Sequence, residues 1–192
     1  MFRRTFFTGS LALIALPSNT VNADQTLLID DFSSGNGVAL TGNQWMGFTD
    51  QVMGGRSTAT SRLDEIEGRP CIRLTGTVNT KGGGFIQLAL DLGQRRQPFD
   101  GHPYSGIELD VYGNDEEYNC HLRTTDIRWY EQSYRTTFSA PPKWTTVKLP
   151  WSAFEPHAIN KDLNLNGLLR LGILGWMRDF KADISVGRLA LF

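Results

Sequence analysis

Strict alternation of large apolar residues with smaller or polar ones characterises the stretch Ile86-Gln87-Leu88-Ala89-Leu90-Asp91-Leu92. A period of two places Ile86 and every second residue after it on one face, as in a β-strand that is buried on one side. The same pattern recurs in Cys71–Leu74, Ile107–Val111, Tyr118–Arg123, Val147–Leu149, Leu169–Ile173 and Ile184–Val186. Each of these segments therefore predicts a strand with one apolar face.

The last of these patterns is interrupted at Gly187. Ile184 and Val186 share a face, but Leu189 and Leu191 resume the alternation one residue out of phase. An extra residue in one strand produces such a shift. We therefore predict a β-bulge at Gly187.

Turn residues separate the predicted strands, and no segment shows a sustained period of 3.6 with helix caps. The turns contain Gly68-Arg69-Pro70, Gly101-His102-Pro103, Gly113-Asn114-Asp115 and Ala140-Pro141-Pro142. About eight to ten strands without crossover helices indicate an all-β fold, a β-sandwich or jelly roll.

The composition argues against two classes of protein. The chain has 192 residues, of which 19 are Lys or Arg and 20 are Asp or Glu. A protein that binds nucleic acid would need a basic stripe to contact phosphates, so we expect no nucleic-acid partner. The chain also lacks the run of about 18 apolar residues that a membrane-spanning helix requires.

The segment Met1–Ala23 has the features of an export signal. Arg3-Arg4 forms a positive start, a short apolar stretch centres on Leu11–Leu16, and Val21-Asn22-Ala23 offers small residues for cleavage. The paired arginines are typical of a twin-arginine signal, and a general secretory signal is the alternative. The sequence therefore predicts an exported, periplasmic domain over residues 24–192, with a mitochondrial protein as the alternative.

Strand alternation also bears on the two cysteines, Cys71 and Cys120, which an exported protein could join. Cys71 falls beside Arg73 on the outward face of its strand, whereas Cys120 falls with Leu122 on the inward face. Side chains on opposite faces of a sheet cannot bridge without a bulge, so the pattern favours two free thiols.

A search for catalytic motifs finds no Gly-x-Ser-x-Gly elbow, Walker loop or His-Glu-x-x-His. His102, His121 and His157 are far apart in sequence, and we place His121 on an outward strand face. Gly82-Gly83-Gly84 precedes a strand rather than a helix, so it predicts a bend that another backbone approaches closely, not a phosphate site. We expect no enzyme activity, no cofactor and no metal.

Aromatic residues are a stronger signal for binding. Trp129 and Tyr130 follow the charged stretch Arg123–Arg128, where we expect a loop. Exposed rings stack on sugars or anchor a protein partner, although aromatic residues at strand ends also close the ends of a sandwich. Together with Arg123 and Asp126, the two rings form a candidate glycan site.

The most distinctive segment is Trp45-Met46-Gly47-Phe48-Thr49-Asp50-Gln51-Val52-Met53-Gly54-Gly55-Arg56-Ser57. Gly54 and Gly55 let the backbone take a positive φ or pass close to another segment. Asp50 and Ser57 can bond neighbouring amides and fix the loop, so that it presents or supports a binding surface. The candidate binding residues of this segment are Trp45, Asp50, Met53, Gly54, Gly55 and Ser57.

This segment resembles the opening of the complex I intermediate-associated protein family, Trp…Asp-x-Val-Met-Gly-Gly-x-Ser. The resemblance continues through Gly83-Gly84-Phe85, Tyr104-Ser105-Gly106-Ile107 and Leu122-Arg123-Thr124. It implies a galactose-binding-domain-like β-sandwich, in agreement with the strand pattern. Family members are known as assembly factors or chaperones for the membrane arm of respiratory complex I (NADH dehydrogenase), and the family has no established catalytic residues.

The resemblance implies a non-enzymatic assembly or chaperone-like factor that binds a protein partner, with subunits of a membrane complex as candidates. In mitochondria the family acts on the matrix side, whereas an export signal predicts the periplasm. A periplasmic carbohydrate-binding module is the alternative function, because many such modules share the fold and a fold alone does not give function.

Overall fold

The computed structural model describes residues 26–94 and 97–192, and the predicted export signal, Met1–Ala23, lies outside them. Within these ranges the strands are β1 (Leu27–Asp30), β2 (Met46–Thr49), β3 (Thr58–Ile66), β4 (Arg69–Val78), β5 (Phe85–Asp91), β6 (Gly106–Tyr112), β7 (Glu116–Thr124), β8 (Ser133–Ala140), β9 (Thr145–Pro150), β10 (Glu155–His157), β11 (Leu168–Trp176) and β12 (Phe180–Leu191). Short 3-10 helices cover Asp50–Met53, Trp151–Ala153 and Leu165–Gly167.

The strands form two antiparallel sheets that enclose a common core. The first sheet has the order β3-β4-β12-β6-β9, with β1 paired to the end of β12. The second sheet has the order β10-β8-β7-β11-β5-β2. The predicted all-β sandwich is therefore confirmed. In the part of the chain that the structure describes, no helix is long and apolar enough to cross a membrane.

Inward-facing residues of the alternating strands build the core. Leu88 and Leu90 of β5 are fully buried and lie opposite Ile173 and Leu171 of β11, which are also fully buried. Burying such a side chain contributes roughly 1.5–3 kcal/mol. A slip by one residue would turn this whole face to solvent, so the apolar alternation also fixes the register of the sheet.

The predicted bulge in β12 is confirmed. The pairing of β12 with β6 shifts register between Val186 and Arg188, on either side of Gly187. Ile184 and Val186 before the shift and Leu189 after it are all fully buried. One extra residue thus keeps both halves of a long strand facing the same core.

The two cysteines are free and buried in different places. Cys120 belongs to the core between the sheets, where burial raises the pKa of its thiol. Cys71 is buried on the other side of its sheet, with its Sγ 3.5 Å from the carbonyl oxygen of Asp64. The alternation therefore assigned the faces correctly, but the outward thiol of Cys71 is covered.

Candidate functional site

All the candidate binding residues except Trp45 divide into two groups at opposite ends of the second sheet. Strand β11 begins at Leu168, opposite Thr124, and ends at Trp176, opposite Phe85. Its nine residues separate the two ends by about 25 Å at about 3.3 Å per residue. We call the loops beside Phe85 the glycine end; they comprise residues 50–57, 79–84 and 177–179. The loop between β7 and β8, residues 125–132, forms the aromatic end.

Asp50 holds the glycine end together. Its side chain is fully buried, and its Oδ1 accepts a hydrogen bond from the backbone N–H of Ser57 at 2.9 Å. Its Oδ2 accepts from Ser57 Oγ at 2.6 Å, from Gly84 N–H at 2.6 Å and from Phe85 N–H at 3.3 Å. Burial opposes ionisation of Asp50, but these hydrogen bonds outweigh it and lower the pKa.

Two glycines make room for this carboxylate. A Cβ at Gly55 or at Gly83 would lie 2.6 Å from Asp50 Cβ, closer than two carbon atoms can approach. The predicted close approach at Gly82–Gly84 is confirmed, because a Cβ at Gly82 would lie 3.3 Å from the backbone oxygen of Gly54. Any larger side chain at Gly55 or Gly83 would therefore separate the two loops.

Exposed aliphatic side chains cover the glycine end. Val52 and Met53 are 72% and 50% exposed, although they lie only two and three residues after the buried Asp50. Met177 on the third loop is 58% exposed, and its backbone N–H donates to the Gly84 carbonyl at 2.6 Å. The loops therefore present apolar side chains on a base of buried hydrogen bonds, and such exposed apolar groups are typical of protein-contact surfaces.

Trp45 does not lie with the other candidates. It is only 6% exposed and packs in the core, with its ring centroid 5.7 Å from that of Phe32. Its Nε1–H donates to Asp30 Oδ2 at 2.8 Å. Burial raises the pKa of Asp30 despite this bond. The structure thus places Trp45 where it supports the fold and does not reach the surface.

Arg123 organises the aromatic end. Its guanidinium donates to the backbone carbonyl oxygens of Tyr130 at 3.0 Å, Gln132 at 3.2 Å and Trp129 at 3.3 Å. The side-chain oxygen of Gln132 in turn accepts from the backbone N–H groups of Arg128 and Trp129. Trp129 and Tyr130 project from this braced loop with 65% and 76% of their surface exposed.

Asp126 bonds to a neighbouring loop and not to the segment that carries the two rings. Its carboxylate accepts from Lys161 Nζ at 2.9 Å and from Asn164 Nδ2 at 2.7 Å. Lys161 holds the pKa of Asp126 below its usual range. The predicted group of four therefore separates into Arg123 with the two rings, and Asp126 with the loop that precedes β11.

The outer face of the second sheet contains residues that the sequence did not single out as a site. His121 faces outward as predicted, yet it is only 7% exposed because Trp176 packs against it, with ring centroids 5.0 Å apart. The guanidinium of Arg135 lies 4.6 Å from the centre of the Trp176 ring. Alternation could have placed His121 and Arg123 on one face, but only the strand pairing shows that Arg135 lies beside them.

Two open cavities lie on this face. One, of about 520 Å³, is lined by Asn43, Asp91, Gln97, Arg123 and Arg170 among others. The other, of about 320 Å³, is lined by Asn119, Arg135, Thr137, Glu155 and His157 among others. Within residues 26–94 and 97–192, no three His, Cys, Asp or Glu side chains come together so that they could hold a metal ion.

The two-sheet sandwich defines a class of β-domain that includes carbohydrate-binding modules. The family 11 module of the cellulase Lic26A-Cel5E of Clostridium thermocellum superposes with a TM-score of 0.69 at 14% identity, over 88% of this chain and 94% of that one. A structure of the family 11 module from the same organism in complex with a β-1,3-1,4-mixed-linked tetrasaccharide gives 0.67 at 14% identity, over 87% and 95%.

A family 30 carbohydrate-binding module of C. thermocellum gives a TM-score of 0.55 at 14% identity, over 90% of this chain and 95% of that one. At these identities the likeness concerns the fold alone. The chain itself belongs to the complex I intermediate-associated protein 30 (CIA30) family, whose model matches residues 31–179. The resemblance stated from the Trp45–Ser57 segment is thus confirmed. A comparison with curated protein sequences gave no match.

Proposed function

We propose that this protein is a non-enzymatic assembly or chaperone-like factor that binds a subunit of a membrane complex related to respiratory complex I. Membership of the CIA30 family supports this role. The observation that carries the proposal is the glycine end, where Val52, Met53 and Met177 are exposed on loops fixed by the buried Asp50.

The physical basis of the proposal is preorganisation. A partner that binds flexible loops loses affinity because the loops must be ordered on binding, whereas loops already fixed by buried hydrogen bonds avoid that cost. The exposed aliphatic side chains then supply apolar area without further folding. The proposal gives Asp50, Gly54, Gly55 and Ser57 an architectural role and Met53 a direct one, with no catalytic step.

The compartment is part of the proposal. We place the protein in the periplasm on the basis of the Met1–Ala23 signal, with the mitochondrion as the alternative. A periplasmic protein would bind the part of the membrane complex that is exposed on that side, and a mitochondrial one the matrix side. Fractionation of the host with an antibody against the protein distinguishes the two.

Capture of cross-linked partners from the native host tests the function. We expect the tagged full chain to recover subunits of a respiratory membrane complex, and Met53→Asp to reduce their recovery at least fivefold. The matched control is Leu63→Asp, because Leu63 on β3 is also partly exposed, at 38%, but belongs to the other sheet. Absence of respiratory subunits, or equal recovery with both variants, would contradict the proposal.

A second candidate function is a carbohydrate-binding module. The specific observation in its favour is the aromatic end, where Arg123 holds Trp129 and Tyr130 with both rings exposed. Rings held in this way can stack on sugar rings. Binding to immobilised polysaccharides in affinity electrophoresis tests it. A retardation that Trp129→Ala abolishes would support this function, and unretarded migration of the wild type in every polysaccharide would refute it.

A further inference from the structure

The outer face of the second sheet carries two cationic side chains that are partly buried and form no ion pair within the described residues, Arg123 and Arg135. On this face, Arg170 forms an ion pair with Asp91 at 2.6 Å. Arg123 and Arg135 form no ion pair with any carboxylate in the described part of the chain. A guanidinium that is partly buried without a counter-charge is unfavourable alone, and an anionic ligand would relieve that cost.

Arg135 is held in position while most of its donors stay free. Its Nε–H donates to Ser133 Oγ at 2.7 Å and one Nη2–H donates to the Glu131 carbonyl oxygen at 3.1 Å. Its guanidinium carbon lies 4.6 Å from the centre of the Trp176 ring. The other three of the five guanidinium N–H groups have no acceptor within the described residues. Burial lowers the pKa of Arg135 to about 10, so the group keeps its charge at neutral pH.

His121 adds a buried polar atom without a partner. It lies directly opposite Arg135 in the pairing of β7 with β8, and its Nε2 is buried with no hydrogen bond. Burial and the charges of Arg135, His157 and Arg123 lower the pKa of His121 to about 3, so the ring is neutral. A buried polar atom without a partner is unusual in a folded protein, and it marks the outer face around Arg135 as a place with unused hydrogen-bonding capacity.

The three side chains are neighbours on the outer face of the sheet. Arg123 is two residues beyond His121 on β7 and is therefore the diagonal neighbour of Arg135, at about 7–8 Å. A carboxylate near the two guanidinium groups would accept hydrogen bonds from Arg135 and offset part of their combined positive charge. Gly172, which pairs with His121, leaves room for the side-chain amide of Gln87. A Cβ there would lie 3.0 Å from Gln87 Cδ, so the Gln87 amide reaches across the sheet.

The remaining chemistry of the face suits a sugar chain better than a peptide. Side-chain amides and a hydroxyl surround the cations, from Gln87, Asn119 and Thr137, and such groups can both donate to and accept from sugar hydroxyls. Among the described residues, the exposed aliphatic side chains lie on other parts of the surface and not on the strands of this face. The exposed rings of Trp129 and Tyr130 border the face and offer flat surfaces on which sugar rings can stack.

We infer that the outer face of the second sheet binds an acidic sugar chain, with a uronate carboxylate between Arg123 and Arg135 beside His121 and a neighbouring sugar ring against Trp129 or Tyr130. This inference rests on the second proposed function and names its ligand class. It invokes none of the residues of the glycine end.

Calorimetric titration of the purified full chain tests the inference. The ligands are hexamers of galacturonate, mannuronate and glucuronate, each compared with its uncharged methyl ester, and a hexaglutamate peptide. We expect at least one uronate hexamer to bind ten times more tightly than its ester. Arg135→Ala should weaken that binding at least tenfold, whereas Arg62→Ala, which removes one exposed cation from the first sheet, should change it less than twofold.

Each other result has a defined meaning. Equal binding of acid and ester, or binding that survives Arg135→Ala, would leave the carbohydrate function standing and overturn the acidic ligand. Absence of binding to all sugars would overturn both. Hexaglutamate binding as tightly as the uronates would replace the sugar with an acidic peptide. If Arg135→Ala does not fold, Arg135→Lys tests the same contact. Lysine keeps the positive charge but lacks the planar, forked donor group of arginine, so the affinity for the uronate hexamer should fall at least threefold.

Discussion

The glycine end and the aromatic end are each held together by one charged side chain that bonds to the backbone, but the two charges have opposite signs. At the glycine end a buried carboxylate, Asp50, accepts hydrogen bonds from backbone N–H groups. At the aromatic end a guanidinium, Arg123, donates to backbone carbonyls. Each charged side chain fixes the loop that lies above it. The difference lies in what the loops expose: aliphatic side chains at one end and aromatic rings at the other.

This contrast indicates two different kinds of ligand for the two ends. Aliphatic side chains on a fixed base suit a protein partner, whereas planar rings beside cations and amides suit sugars. The support also differs in depth, because Asp50 is fully buried whereas two of the three hydrogen bonds of Arg123 are solvent-exposed. The loops of the glycine end should therefore be destabilised more by loss of Asp50 than the loop of the aromatic end is by loss of Arg123.

The largest effect is expected for Asp50→Ala. The change leaves the buried N–H groups of Gly84 and Ser57 without their acceptor, and the free energy of unfolding should fall by about 3 kcal/mol. Denaturant unfolding measures it. Asp50→Asn keeps the shape and part of the hydrogen bonding, so its loss should be smaller. A loss below about 1 kcal/mol for Asp50→Ala would show that the carboxylate does not hold this end together.

The second largest effect is the dependence of stability on pH that is expected from His121, which lies between the two ends. Its pKa is about 3 in the folded protein against about 6.5 unfolded. Between these values the unfolded chain binds a proton that the folded chain does not, so stability falls as pH decreases from 6.5. The slope approaches about 1.4 kcal/mol per pH unit, and the loss of stability between pH 7 and pH 4.5 amounts to about 2–3 kcal/mol.

His121→Gln isolates this contribution, because both proteins share all other titrating groups. The variant should lose less stability than the wild type between pH 7 and pH 4.5, as measured by urea unfolding at each pH. Parallel profiles for the two proteins would mean that the ring is not held neutral.

A smaller effect is expected for Arg123→Ala. The carbonyls that lose its hydrogen bonds lie near solvent, so water can replace the guanidinium and the free energy of unfolding should fall by about 1–2 kcal/mol. Amide hydrogen exchange should rise in residues 125–132 and not in residues 50–57. Faster exchange at both ends would show that the ends are coupled and would break the comparison.

The smallest effects on stability are expected for the exposed residues. Met53→Ala and Trp129→Ala should each change the free energy of unfolding by less than about 0.5 kcal/mol, because neither side chain is packed. Thermal unfolding measures this. A loss above about 1 kcal/mol for either one would mean that the side chain supports the fold, and its assignment to a binding surface would fail.

Local patterns predicted more of the fold than of the site. The alternation of apolar and polar residues, as in Ile86–Leu92, correctly predicted the core strands, and its change of phase at Gly187 correctly predicted the bulge. Strand β3 carries no such signal, because it is an edge strand that stays largely exposed on both faces. The Trp45–Ser57 motif gave the family, yet nothing in its spacing shows that Trp45 is bonded to Asp30 in the core.

The site depends on contacts between residues far apart in sequence. Asp50 and Gly83 meet only once the loops fold together, and Arg135 comes beside His121 only through the pairing of β7 with β8. The aromatic loop was easier to predict, because Trp129 and Tyr130 are neighbours in sequence and follow a charged stretch. Arg123 was included with them, but its bracing role depends on backbone carbonyls that no sequence motif reveals.

The claim that the two ends serve different ligands is tested most directly by one capture experiment with three forms of the tagged chain. Wild type, Met53→Asp and Trp129→Ala are cross-linked in the native host, and the recovered subunits of the membrane complex are quantified by mass spectrometry. We predict that Met53→Asp loses at least four-fifths of this recovery and that Trp129→Ala keeps it. Equal loss with both variants, or loss with Trp129→Ala alone, would contradict the division of roles between the two ends.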